Sequence, residues 1–159
     1  MKKLIIIMLL IACTTAQAQQ VYNEVRKKAQ TTVSDPQANS LVKQISQFKL
    51  DALNYLAIKM REDMPDSTVV FLDKQAMAMD NFVNFYVEKL IESTQQPNAV
   101  QVKMIKMFMD VSYSNPLFKD SDKELVLSYY NRADCLTRFS LDTDWRKAVA
   151  AIAYLYKKE

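Results

Sequence analysis

The stretch DPQANSLVKQISQFKLDALNYLAIKMREDMPDS, residues 35–67, carries apolar side chains at Ala38, Leu41, Val42, Ile45, Phe48, Ala52, Leu53, Leu56 and Met60. Recurrence at three and four residues puts them on one face of an α-helix. Asp35 is placed to cap it, and Pro36 suits the first helical position, where the missing N–H has no bond to lose. Pro65 ends the run. The spacing predicts a helix over about 36–64.

A second stripe follows at Leu72, Met79, Phe82, Val83, Tyr86 and Leu90, predicting a helix over about 67–94 that fades at STQQPN, residues 93–98. Each rod is roughly 40 Å long at ~1.5 Å per residue, and the connection is short, so an antiparallel hairpin is the natural packing. The β-branched run STVVFL at 67–72 has no partner strand or tight turn elsewhere, and the helical stripe continues out of it. Shorter helices are expected at Asn98–Tyr113, Ser121–Phe139 and Thr143–Lys157, after a weakly amphipathic opening marked by Val21, Val25 and Ala29. The fold class is all-α, a bundle of about five helices, with residues 19–159 as a single domain.

Composition narrows function. The 159 residues include no His and no Gly. Without imidazole the chain lacks the commonest general base and metal ligand, and any Ser-His or Cys-His pair. Without glycine, phosphate-cradling loops, nucleophile elbows and dinucleotide fingerprints are excluded, because each needs backbone that turns sharply or approaches a ligand without a Cβ.

Residues 1–12 are built like an export leader, with Lys2 and Lys3 before the apolar run Leu4–Ala12. The run is too short to span a bilayer, which takes ~20 apolar residues. Ala16, Gln17 and Ala18 form the A-x-A pattern of a signal-peptidase site, so residues 1–18 are expected to be removed. A second reading lipidates Cys13, since Leu10, Ile11 and Ala12 resemble a lipobox; it leaves a leader shorter than the ~15–30 residues usual. After removal of residues 1–18, 19 Lys+Arg face 18 Asp+Glu, and the formal charge drops from +3 to +1. That balance gives no footprint for nucleic acid or an anionic membrane. Cys135 would be the one remaining cysteine and is read as a small buried residue.

The Lys-start, Ile-rich leader ending AQAQQ resembles those of small exported envelope proteins of Gram-negative bacteria of the Bacteroidota type. The resemblance covers about the first twenty residues and implies a periplasmic or secreted address, with an envelope lipoprotein anchored through Cys13 as the alternative. It implies nothing about activity.

Two acidic strings suggest metal chemistry at first sight. In DSDKE, Asp120–Glu124, the sixth loop position is Leu125 and the twelfth Asn131, so a calcium loop cannot close. Ser121 and Glu124 instead form a capping box. In DTDW, residues 142–145, Asp142 or Thr143 is placed to cap the last helix and Asp144 to favour its positive end. Methionine strings (Met77 and Met79; Met104, Met107 and Met109) raise Cu(I). Residues two apart on a helix point ~200° apart, so only Met104 with Met107, or Met60 with Met64, share a face.

The helix VQVKMIKMFMDVSY, residues 100–113, gathers Val100, Met104, Met107, Phe108 and Val111 on one side and Val102, Ile105, Met109 and Tyr113 on the other. A helix apolar on two sides is either sandwiched within its domain or presents one side to a partner. Val102, Ile105, Met109 and Tyr113 are the candidate partner face. Tyr130 and Arg146, in SYYNR and DWRK, are candidate ligand-binding groups, whereas Tyr129 and Trp145 fall on core stripes.

The expected function is non-catalytic, through a protein partner or a homodimer in the bacterial envelope, with no cofactor, no nucleic acid and no membrane span. The alternatives are a small-ligand or Cu(I) carrier, and a carboxylate-based hydrolase drawing on Glu62, Asp63, Glu88, Glu92, Asp142 and Asp144, among which spacing nominates no pair.

Overall fold

The computed structural model describes residues 20–67, 69–118 and 120–158. The leader and Cys13 lie outside the described residues. The described chain is an all-α bundle: α1 (Gln20–Ser34), α2 (Ser40–Asp63), α3 (Val69–Ser93), α4 (Asn98–Tyr113), α5 (Lys123–Val126) and α6 (Trp145–Lys158).

The hairpin of α2 and α3 is formed by helices of 24 and 25 residues. Lys49, near the middle of α2, reaches Asp80 at 2.5 Å and Asn84 at 2.8 Å on α3, as antiparallel rods of matched length require. α2 starts later than the stripe suggests. Asn39, not Asp35, caps it, accepting from the Leu41 amide at 2.8 Å. Asp35 accepts from the Gln37 amide at 2.9 Å instead and, with Pro36, forms a turn; a short acidic side chain bonded two residues on competes with helix initiation.

α1 is more than an opening segment. It lies along both α2 and α3, with Tyr22 and Ala29 buried. The Tyr22 amide, in the first turn of α1, donates to Asp73 of α3 at 3.0 Å, so a carboxylate from another helix sits at the positive end of α1. α3 is the hub, touching α1, α2, α4 and α6. Where α3 meets α4 and α6 the core is aromatic: Phe82 lies edge-on or tilted to Phe108, Phe139 and Trp145 at centroid distances of 5.3, 5.2 and 5.6 Å. Each such pair contributes ~0.5–1.5 kcal/mol beyond area burial.

The expected helix Ser121–Phe139 contracts to Lys123–Val126. Ser121 and Glu124 do not form its cap: Asp122 accepts from the Leu125 amide at 2.9 Å and Asp120 from the Asp122 amide at 2.9 Å. Beyond it the chain is irregular: Cys135 and Thr137 are buried, Leu136 and Arg138 half-buried, and every residue from Phe139 to Trp145 is buried. This segment threads the core, and its backbone and that of the residues after it bond to α5 and to the loop after α4. The Leu141 amide donates to the Val126 carbonyl at 3.0 Å, and Asp144 to that of Asn115 at 2.7 Å. An isolated antiparallel bridge joins Pro116 and Thr143. Among the described residues no backbone φ is positive, and no helix is long and apolar enough to cross a membrane.

Candidate functional site

α4 packs one side into the bundle, and the burial of Met104, Phe108, Val111 and Ser112 sets its rotation. The side formed by Val102, Ile105, Met109 and Tyr113 is divided by that rotation. Met109 is buried and Ile105 is half-buried against the core, while Val102 and Tyr113 are each 55% exposed. Lys106 and Asp110 lie on the same outward surface and pair at 2.8 Å.

Tyr113 does not stand alone. Tyr130, from the loop after α5, stacks on it with ring centroids 5.3 Å apart and planes tilted 36°. The Tyr130 carbonyl accepts from Arg138 Nε at 3.2 Å, which ties the loop to the core-threading segment. Two candidates drawn from separate stretches of sequence, the partner face and the terminal aromatics, therefore meet in one aromatic surface. Arg146 is exposed at the start of α6. Tyr129 is half-buried, with its hydroxyl 2.5 Å from Asp51, and Trp145 is fully buried with Nε1 lacking a hydrogen-bond partner.

The six carboxylates nominated for acid–base chemistry are held in structural pairings. Lys59 reaches Glu62 at 3.3 Å and Asp63 at 3.2 Å, and Lys89 reaches Glu92 at 2.6 Å and Glu88 at 3.7 Å. Hydrogen bonds to Asp63 and Glu92 lead in raising these two ammonium groups above the usual lysine range. Asp142 accepts from the Ser140 hydroxyl at 2.6 Å, and Asp144 from Gln75 Nε2 at 2.9 Å. Asp144, rather than Asp142 or Thr143, caps α6, accepting from the Lys147 amide at 3.3 Å. The Thr143 hydroxyl donates to the Ser140 carbonyl at 2.6 Å.

Met77 is half exposed and Met79 fully buried, facing apart as helical geometry demands. Met104 and Met107 share the wall of a cleft of about 250 Å³ with Val100, Lys89 and Tyr156. There Lys89 Nζ lies 5.4 Å from the Phe85 centroid and 5.7 Å from that of Tyr156, close enough for cation–π attraction. Among the described residues no group of three or more His, Cys, Asp or Glu side chains is arranged to hold a metal ion.

Compared with protein-family models, with curated proteins and with solved structures, the chain matches none of them.

Proposed function

We propose that this chain is an exported, non-catalytic helical protein of the bacterial envelope that acts through protein contacts made by the outer surface of α4. The observation carrying this reading is the exposure of Val102 and Tyr113 on one helix, with Tyr130 stacked on Tyr113. Exposed aromatic and aliphatic groups on a rigid element provide contact area at low ordering cost, and Tyr is enriched in interfaces because its ring is apolar and its hydroxyl wet.

The occupant best matched to the surface is a second copy. In a two-fold antiparallel pairing of α4, Val102 of each copy opposes Tyr113 of the other, and Lys106 of each comes beside Asp110 of the other. One patch then meets itself with apolar and charged groups both matched.

Light scattering over a concentration series tests this. The purified protein should dimerise, and Val102→Glu or Tyr113→Lys should give monomers with unchanged helicity and melting. A parent that is monomeric throughout rejects the second copy. Unfolding by either exposed-site substitution would assign the surface to the core and end the reading.

A further inference from the structure

We propose that the groove between α1 and the α2–α3 hairpin binds a small uncharged carbonyl compound with a short aliphatic body, its oxygen held by Ser46 and Lys49. The groove encloses about 270 Å³, and both residues line it.

The Ser46 hydroxyl carries the argument. Ser46 is only 7% exposed, yet its hydroxyl has no hydrogen-bond partner among the described residues. The buried polar side chains around the head of α6 (Gln75, Ser112, Thr143 and Asp144) all make such bonds. Other helical hydroxyls in this chain satisfy themselves on a carbonyl three or four residues back, as those of Thr31, Thr32, Ser93 and Thr94 do. A buried hydroxyl without a partner is a net cost to the fold, so the stability of the bundle does not account for Ser46.

Its neighbours supply further donors. Lys49 stands three residues on, on the same face of α2. Of the three N–H groups of an ammonium, Lys49 gives one to Asp80 and a second to Asn84 at 2.8 Å. Asn84 in turn gives one amide hydrogen to Asp80 at 3.0 Å and keeps the other. A ligand entering here meets unspent donors, which select a hydrogen-bond acceptor. Asp80 already balances the Lys49 charge and repels a second carboxylate, so the acceptor is uncharged. Lys28, at the rim, is exposed, and its charge is solvated and screened.

The remaining walls are largely aliphatic: Val25 and Ala29 of α1, Val42 and Ile45 of α2, and Val87 of α3. Val25, Ile45 and Val87 are half-buried and Val42 is 48% exposed, so these side chains still have apolar surface that a ligand can cover. The volume lies just below the ~300–1,000 Å³ of pockets for drug-sized ligands and limits the body to a few carbons.

The test is an amide NMR titration of the purified protein with isovaleramide, isovalerate and acetamide. Isovaleramide should saturate one site with a Kd of about 1 mM or tighter, the scale open to so few heavy atoms, and shift the amides of Ser46, Lys49 and Asn84. Isovalerate, which adds a charge, and acetamide, which lacks the body, should each bind at least about tenfold more weakly. Ser46→Ala should weaken isovaleramide about fivefold or more, the scale of one neutral hydrogen bond. The same variant without ligand should melt roughly 2–4 °C above the parent, because an unsatisfied polar group has been removed. Lower melting would show that the hydroxyl serves the fold and would overturn the assignment. So would isovalerate binding as tightly as isovaleramide, indifference to Ser46→Ala, or no saturation by about 10 mM, the last leaving a water as the partner of Ser46. No residue of this groove lies on α4, so its failure leaves the dimer reading standing, and the reverse holds.

Discussion

Gln75 of α3 and Asp144 at the head of α6 are joined by a buried hydrogen bond of 2.9 Å, and the same Gln75 amide accepts from the Trp145 backbone N–H at 2.9 Å. One neutral side chain thus fixes both the cap and the first amide of a helix 69 residues away in sequence. Gln75 is wholly buried and Asp144 nearly so. Gln75→Leu preserves bulk but strands the buried Trp145 amide and takes one partner from the Asp144 carboxylate, which keeps Lys147, at a cost of roughly 3 kcal/mol. A urea midpoint lowered by at least ~1 M, with unchanged slope, is expected. A variant as stable as the parent would mean that water reaches Asp144.

The Tyr55 hydroxyl donates to Asp120 at 2.7 Å, tying the loop after α4 to α2. That bond leads in holding the Asp120 carboxyl below the usual range, helped by the Asp122 amide and by Lys59 and opposed by burial. A depressed carboxyl contributes stability that is present above its unfolded value of about 4 and lost as pH falls through its folded one. Asp120→Asn should therefore cost about 1–2 kcal/mol at neutral pH and progressively less in acid. Melting temperatures of parent and variant should converge below pH 4; parallel curves would refute the linkage.

Tyr86 behaves oppositely. Burial, with a smaller push from Cys135 and opposition from Arg138, moves its phenol up to about 12, and its hydroxyl donates to the Leu136 carbonyl at 2.9 Å. A raised phenol contributes stability that is intact below the unfolded value near 10 and lost as pH rises through 12. Tyr86→Phe should be about 1 kcal/mol less stable at pH 7, and the gap should narrow above pH 10. Alkaline denaturation of both proteins measures it.

Cys135 is a buried free thiol whose sulfur lies 3.6 Å from the Thr137 hydroxyl. Its modification by a bulky disulfide reagent should wait for unfolding, so the labelling rate in water should equal the extrapolated unfolding rate. Rapid labelling of native protein would show that the 135–141 segment opens locally.

The long helices were legible because their stripes are local: Phe48, Leu53, Leu56, Phe82, Val83 and Tyr86 all read as core, and all are buried. Leu41 and Val42 read the same way yet remain about half exposed, because amphipathicity records one helix's own pattern and not how far its neighbours extend. The segment after α5 was misread for a related reason. Its burial depends on contacts such as the Ser140 amide donating to the Ser112 hydroxyl at 3.2 Å, which no spacing within the segment encodes. At the surface, Val102 and Tyr113 were visible as a face, but the Tyr130 stack required the loop to fold back.

The wholly negative φ of the described backbone bears on the denatured chain as much as on the native one. Glycine surrenders more freedom than any other residue when it is ordered, and none is present to do so. Every described turn is made by residues whose random-coil range is narrower than glycine's, so the backbone entropy opposing compaction is smaller per residue than in a chain of equal length with ordinary glycine content.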